Sequence, residues 1–298
     1  MHNSQMIAWK ESTVRPSQYV HSFFHSHQAF EVVMVTEGAV RVHFSGRSYD
    51  ACPGDILVFG SMESHVFEIT DFPYSRTGIR FSREALRRTI QNPALSAIYI
   101  KHAPDFCHLL PVPREAEEPR RLLEEIQGQF RQKAPFYLEN MLYLLGQFTV
   151  SLYRCCPACF PVVSASGHQS VYEVLEYLES HYAENIHVEE LARHFYMSSS
   201  HLAHTFRDLT GHTPRQYLTL CRLSRARELL AATDLPLEDV AARCGFDLAG
   251  TLIRSFKKEY NITPGAFRKS VSAQQSIFEN GLDIPVPDVM DTFHVPIS

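Results

Sequence analysis

The chain has 298 residues, of which 45% are hydrophobic and 20% are charged, and its formal net charge at pH 7 is −5. This size supports two hydrophobic cores, and no apolar run approaches the roughly 20 residues of a membrane-spanning helix. Seven cysteines without a regular framework, and an N-terminus without the apolar core of a signal peptide, predict a cytoplasmic protein that contacts no membrane.

Residues 1–82 predict a β domain. Short runs of β-forming residues at 31–35, 39–44, 56–59, 66–69 and 74–81 are separated by turn residues, including Glu37–Gly38. Many short strands at this spacing are typical of a small barrel or jelly roll.

A histidine-containing motif lies within these strands. His25, His27 and Glu31 precede Gly38, and His65 follows Gly54 and Gly60. The spacing H-x-H-x3-E-x6-G, then G-x5-G-x4-H, resembles the two cupin motifs. The resemblance implies that the positions of His25, His27, Glu31 and His65 converge inside a barrel.

Three interpretations of this group remain open. Three imidazoles and one carboxylate suit iron, manganese or zinc, with or without oxygenase activity. The same side chains, together with His43, instead suit a small organic ligand such as a sugar, and in the third interpretation neighbouring residues simply hold these polar groups in place. We favour the organic ligand and therefore expect no cofactor, with a divalent metal as the alternative. Aromatic side chains suited to stacking on such a ligand are Phe23, Phe24, Phe30, His43, Tyr49 and Phe67.

Residues 83–156 predict helices at 83–90, 114–130 and 136–153. The third helix carries an apolar stripe of Leu138, Met141, Leu142, Leu145, Phe148 and Leu152. Cys156 and Cys159 then form a C-x-x-C motif, a spacing that suits redox exchange or two zinc ligands, with His168 as a conceivable third ligand. Ordinary linker cysteines are the favoured interpretation, and residues 157–170 predict a flexible linker.

Residues 171–271 contain a duplicated unit. Its pattern of apolar, basic and Thr-Pro positions recurs fifty residues later: Leu202, Phe206, Arg207, Thr213, Pro214 and Tyr217 correspond to Leu252, Phe256, Lys257, Thr263, Pro264 and Phe267. Each copy predicts a short helix, a tight turn, a capping residue (Ser198 or Asp247) and a second helix at 199–209 or 248–260. The second helices end at Gly211 and Asn261, and the pattern is that of a helix-turn-helix.

Charge is segregated along the chain in the way that DNA binding requires. From residue 191 to residue 269, twelve basic and seven acidic side chains leave a formal net charge of +5. A local basic face therefore exists in a globally acidic protein.

The segments SSSHLAHTFRDLTGHTPRQYL, CRLSRARELL, VAARCGF and RSFKKEYNITPGAFR resemble the AraC/XylS family of transcription regulators. The resemblance implies an α+β chain of two domains. A cupin-like, effector-binding β-barrel with flanking helices precedes an all-α domain with two helix-turn-helix units, each placing its second helix in the DNA major groove. His204 stands where the family usually has Arg, and Leu252 where it usually has Phe.

On this resemblance we expect two kinds of contact with double-stranded DNA. Side chains expected to face bases are Ser199, Ser200, His201, His204, Leu248, Ala249 and Thr251, and those expected to hold phosphates are Arg207, Arg254 and Lys257. The second helix start, at 247–250, is unusually apolar, so we expect its unit to read methyl groups or grip phosphate more than it hydrogen-bonds to bases.

The resemblance also implies a homodimer paired through helices of residues 83–156, and contact with RNA polymerase if the protein is an activator. We expect an effector-controlled regulator, by preference an activator, and not an enzyme. The rival hypotheses are a metal-dependent cupin enzyme and a metal or redox sensor fused to a DNA-binding domain. Residues 272–298 lack periodicity and predict a tail.

Overall fold

The structure is a computed structural model that describes residues 7–15, 25–44, 46–102, 106–161 and 168–279. An antiparallel sheet domain with flanking helices precedes a helical domain. The strands are β1 (Ile7–Val14), β2 (Phe30–Phe44), β3 (Arg47–Ala51), β4 (Ile56–Phe59), β5 (His65–Phe81) and β6 (Leu109–Leu110). Their order is β1-β5-β2-β4-β6, with β3 paired to β2. This agrees with the predicted cupin-like α+β fold.

Two predicted interruptions of the sheet are wrong. The expected turn at Glu37–Gly38 is a set of register shifts inside β2, which continues to Phe44 opposite β5. Gly38 adopts φ +68° there, and a Cβ at this position would lie 2.4 Å from the Pro73 carbonyl oxygen. A bulge with glycine in the left-handed region therefore replaces the turn. The runs at 66–69 and 74–81 likewise belong to one strand, β5.

The helices after the sheet share its core. They are α1 (Arg83–Thr89), α2 (Pro93–Ile100), α3 (Glu117–Gln132) and α4 (Tyr137–Cys155). Met141, Leu145, Phe148 and Leu152 of the predicted stripe are fully buried in one cluster with Ile7 and other sheet residues. Residues 1–82 and 83–156 were expected to be separate segments, but their described residues pack around a common core. The apolar stripe of α4 packs inside this domain, because its side chains cover the sheet.

The helical domain has two further cores that share one long helix. Its elements are α5 (His168–Ser180), α6 (Val188–His194), α7 (Ser199–Thr210), α8 (Pro214–Ala232), α9 (Leu237–Arg243), α10 (Ala249–Tyr260) and α11 (Pro264–Glu279). The first half of α8 packs on α5 to α7, and the second half packs on α9 to α11. Among the described residues, no helix is both long enough and apolar enough to cross a bilayer.

Helix boundaries in the two repeats differ slightly from those predicted. Ser198 caps α7 as expected, since its hydroxyl accepts the His201 N–H. Asp247 does not cap α10; Leu248 occupies the N-cap without a side-chain bond, because this helix begins one residue later than predicted. The start of the predicted 272–298 tail is helical, since α11 continues to Glu279. Residues 280–298 lie outside the described residues, as do residues 162–167 of the predicted linker.

Candidate DNA interface and effector-binding domain

The same turn orients the second helix of each repeat. Tyr196 and Gly245 are both left-handed, at φ 55° and 77°. The next residue in each copy returns its N–H to the first helix, Met197 to the Ala192 oxygen at 2.8 Å and Phe246 to the Ala241 oxygen at 2.9 Å. This bond pattern is that of a Schellman ending. The two repeats therefore hold their second helices in similar local geometry.

The first repeat presents a polar helix start. The predicted contact residues of α7 are all exposed: Ser199, Ser200, His201, His204 and Arg207. The His204 imidazole lies 3.0 Å from a carboxylate oxygen of Asp208, one turn further along. The opposite face of α7 packs into the domain through Leu202, Phe206 and Leu209, so the polar face is left to contact a ligand such as the major groove of DNA.

The second repeat is more apolar at the corresponding surface. Leu248 is 68% exposed, whereas Ala249 packs partly into the domain core. Thr251 is half-buried, and its hydroxyl accepts an exposed hydrogen bond from Arg254 at 3.3 Å. Arg254 and Lys257 are exposed. The predicted contact residues of α10 are thus exposed or half-buried, with Ala249 the least available of them.

A single helix sets the separation of the two units. Because α8 has 19 residues, its length is about 28 Å at 1.5 Å per residue. Successive major grooves on one face of DNA are about 34 Å apart. The Thr213 hydroxyl and the Gln216 side chain close a capping box at the start of α8, which fixes where the helix leaves the first unit.

Three of the predicted barrel histidines meet in the sheet domain. His25, His27 and His65 are buried, and each offers a ring nitrogen within 4.8 Å of the others. The backbones of His25 and His65 exchange two hydrogen bonds of 2.9 Å. The cupin-like spacing therefore brings these side chains together as expected.

Glu31 is engaged differently from a metal ligand. Its carboxylate accepts from Arg80 at 3.1 Å and lies 3.0 Å from the His27 Nε2 atom. Burial, and then the charge of Arg80, lower the pKa of His27 to about 4. A carboxylate already balanced by a buried guanidinium is a poor fourth ligand for a cation. This arrangement favours a hydrogen-bonding role for Glu31.

Aromatic rings surround the histidines, though not all of those predicted. Phe44, Phe59 and Phe67 have ring centroids 6.1, 4.5 and 5.7 Å from that of His65. His43 lies apart, since it is on the opposite face of β2 and bonds Ser48 and Glu68 near the surface. It does not join the predicted pocket group, because neighbouring strand residues point to opposite faces. Phe23 and Phe24 lie outside the described residues.

A cavity of about 670 Å³ lies between the sheet domain and the helix-turn-helix units. Side chains from both domains line it, among them Phe44, Glu63, His102, His108, His212 and Tyr217. Glu63, His102 and His108 belong to none of the motifs recognised in the sequence. Only their residue types signalled a site, because His102 and His108 occur in no recognisable spacing with Glu63.

Direct contacts join the two domains beside this cavity. The Arg83 guanidinium donates to Glu179 at 3.0 Å and to the Tyr217 hydroxyl at 3.3 Å. The hydroxyls of Ser61 and Tyr217 lie 3.2 Å apart. Tyr217 of the first repeat corresponds to Phe267 of the second repeat. The helix α8 that links the DNA-reading units therefore touches the sheet domain directly.

The C-x-x-C motif has the environment of structural thiols. All seven cysteines are free, and the Cys156 thiol lies in the core of the sheet domain. Burial raises the pKa of Cys156 to about 12 and also raises the pKa of Cys159. Reactive cysteines have depressed pKa values, so these thiols are unsuited to rapid redox exchange. The side chain of His168 lies outside the described residues.

Comparison with known proteins agrees with both halves of this description. Residues 12–145 match the family model of the AraC-like ligand binding domain, and residues 191–270 match a helix-turn-helix domain model. The HTH-type transcriptional activators RhaS of Yersinia pestis and Yersinia pseudotuberculosis are each 26% identical over 83% of this chain and 89% of their own length.

Solved structures extend the likeness to the whole fold. ToxT from Vibrio cholerae O395 superposes with a TM-score of 0.61 at 12% identity, over 90% of this chain and 99% of ToxT. At this identity the likeness concerns the fold alone. The two family models occur in this order along the chain, and the helix-turn-helix is duplicated. The chain therefore belongs to the AraC/XylS family of transcription regulators.

Proposed function

We propose that this protein is a transcription activator whose binding to DNA is controlled by a small organic effector held in the sheet domain. The observation that carries the proposal is the pair of exposed helix starts, on α7 and α10, in two units joined by one helix of 19 residues, about 28 Å long. The RhaS relatives are named activators, which supports activation, with contact to RNA polymerase, over repression.

In this proposal the two helix-turn-helix units make different contacts with DNA. Ser199, Ser200, His201 and His204 read bases from α7, where these polar side chains are exposed. Leu248, Ala249 and Thr251 offer methyl groups from α10, which suit the thymine methyl. The exposed cations Arg207, Arg254 and Lys257 hold phosphates, which carry affinity without sequence information.

The effector site in this proposal includes the cavity between the domains and the histidine group behind it. Phe44 borders both, since its ring stacks on His108 at 3.8 Å and lies 6.1 Å from His65. Aromatic faces beside imidazoles, a carboxylate and Arg83 suit a sugar or a related hydroxylated metabolite. A ligand there reaches Tyr217 on α8, so its binding changes the contacts that hold the DNA-reading units.

Homodimerisation through the helices of residues 83–156 remains part of the proposal, with an exposed face of α4 as the contact surface. The apolar stripe of α4 is buried within the domain. Phe136 and Tyr143, at and near the start of the same helix, are 79% and 69% exposed. Two aromatic side chains left in solvent on one helix suit a contact between two copies, and sedimentation of wild type against Tyr143→Glu measures whether they pair.

The test is a selection of genomic fragments with purified full-length protein at about 0.15 M salt, where exposed charges beyond about 8 Å are screened. The selection is run with and without pooled small metabolites. We expect one motif with two elements about one helical turn apart. Enrichment of no motif under either condition would contradict DNA reading, and a motif unaffected by every metabolite would contradict effector control.

A further inference from the structure

A second histidine cluster lies at the domain interface, apart from His25, His27 and His65. Glu63, His102 and His108 each offer one ligand atom, all within 4.8 Å of one another. One Glu63 oxygen is 2.9 Å from His102 Nδ1, and the other is 3.3 Å from His108 Nε2. Two imidazole nitrogens therefore point at one carboxylate.

The far side of each ring is held by a backbone carbonyl. His102 Nε2 donates to the Ile98 oxygen at 2.8 Å, and His108 Nδ1 donates to the Val58 oxygen at 3.1 Å. A carbonyl only accepts, so these nitrogens carry the ring hydrogens. In a neutral imidazole the other nitrogen then presents its lone pair, here towards Glu63. Metal-binding histidines are oriented in this way, with the second nitrogen bonded to a carbonyl or carboxylate.

The neighbours hold all three side chains in place. Phe106 stacks on His102 with ring centroids 3.9 Å apart, and Phe44 stacks on His108 at 3.8 Å. The Gly60 N–H donates to Glu63 at 2.8 Å. A Cβ at Gly60 would lie 3.0 Å from His102 Nδ1, so glycine permits the ring to approach the carboxylate.

The two imidazoles and the carboxylate face one another across a small gap. Each ring bonds a backbone carbonyl through one nitrogen, and its other nitrogen lies 2.9 Å (His102 Nδ1) or 3.3 Å (His108 Nε2) from a Glu63 oxygen. A cation placed among the three groups would accept the lone pairs of both nitrogens and of the carboxylate at once.

We propose that Glu63, His102 and His108 together bind one divalent transition-metal ion of the zinc class. Two imidazoles and a carboxylate select such ions over Mg²⁺ and Ca²⁺, which prefer oxygen ligands. The cluster borders the 670 Å³ cavity, which leaves space for water or another ligand in the fourth position. His212 of the DNA-binding domain lines the same cavity, so the ion would lie at the domain interface. This inference goes beyond the proposed function and does not depend on the effector.

The experiment measures metal retention by the full-length protein. After removal of metals with a chelator, the protein is loaded with Zn²⁺, passed over a desalting column and analysed for zinc per chain. A parallel titration with Co²⁺ follows the visible absorption bands of a site with nitrogen ligands, and Mg²⁺ serves as the competitor. We expect one retained equivalent, with cobalt bands that excess Mg²⁺ does not remove.

Variants locate the ion. His102→Gln and His108→Gln are expected to weaken Co²⁺ binding at least tenfold, as is Glu63→Gln. His187→Gln, at an exposed histidine of the helical domain, is the control and should bind as wild type does. Circular dichroism identifies any variant that fails to fold. If a variant fails to fold, X-ray absorption spectroscopy of the wild-type Co²⁺ complex takes its place. This measurement counts the imidazole ligands of the ion, and we expect two.

Two results would overturn the proposal. Retention lost in His25→Gln but kept in His102→Gln and His108→Gln would place the ion in the other cluster. No retained ion in wild type would leave Glu63, His102 and His108 as a hydrogen-bonded cluster without a metal. Neither result bears on DNA reading, which the fragment selection tests without added metal.

Discussion

Arg83 of the sheet domain and Glu179 of the helical domain form an ion pair that is largely withdrawn from solvent. The Arg83 Nη2 and Glu179 Oε1 atoms are 3.0 Å apart, and the two side chains are 12% and 15% exposed. Burial acts to lower the pKa of Arg83, but Glu179 and Tyr217 outweigh it and the net direction is upward. The charged pair is therefore stable in this arrangement and ties the domains together.

Removing the Glu179 charge should weaken the link between effector and DNA. Because Glu179→Gln leaves Arg83 buried without its counter-charge, we expect a loss of about 2 kcal/mol in the free energy of unfolding. We also expect a smaller change in DNA affinity on adding effector. The control is Glu176→Gln, one turn earlier on α5, where the pair with Arg87 is 3.5 Å long and exposed. Equal effects of the two variants, in denaturant melts and binding titrations, would show that the Glu179 contact has no special role.

His204 and Lys257 should separate sequence reading from phosphate attraction. His204→Ala should change the preferred base at one or two positions, since its imidazole is exposed on the polar start of α7. Lys257→Ala should weaken binding to every sequence and lower the salt dependence of affinity by about one ion. Fluorescence anisotropy on a panel of operator variants at several salt concentrations measures both. An equal loss on all sequences for His204→Ala would remove its reading role.

The turn of the second repeat should not tolerate a side chain. Gly245 has φ +77°, and a Cβ there would lie 2.8 Å from the backbone oxygens of Tyr182 and Ala183. Gly245→Ala should therefore cost at least about 1–2 kcal/mol of unfolding free energy. At Gly250, on the surface of α10, a Cβ would meet nothing within 4 Å. Gly250→Ala should instead stabilise the protein by about 0.5–1 kcal/mol. Thermal unfolding of both variants checks the opposite signs.

The buried Arg80–Glu31 pair should be far more sensitive than a surface pair on the same sheet. Both side chains are under 5% exposed, with Nη2 3.1 Å from Oε2. Arg80→Met leaves the Glu31 carboxylate without that partner, and we expect a loss of about 3 kcal/mol. Arg41→Met breaks the exposed pair with Asp50 and should leave the urea midpoint unchanged. A midpoint for Arg80→Met that matches wild type would show that Glu31 is not charged in the folded protein.

Local patterns were sufficient to predict most of the helical domain. The pairs Leu202 with Leu252 and Phe206 with Phe256 repeat because both units bury the same helix face, and all four side chains are fully buried. Gly211 and Asn261 ended their helices as predicted, in the left-handed region. Each of these features depends on residues within one turn or one short unit, so the chain pattern alone carries it. The exception was the α10 cap, where Leu248 replaced the expected Asp247.

Long-range packing decided what the pattern could not show. The bulge at Gly38 lies where Asp71 and Pro73 of β5 approach β2, and the pairing with β5 makes β2 one continuous strand to Phe44. The order of residues along the chain contains no direct signal for this pairing.

Short motifs in the chain were enough to predict the family, the two helix-turn-helix units and the meeting of His25, His27 and His65. The convergence of Glu63, His102 and His108 and the contact of Arg83 with Glu179 became visible only in the folded protein. These side chains come from elements far apart in the chain. The packing of the two domains brings them together, since side-chain contacts depend on distance in space and not on spacing in sequence.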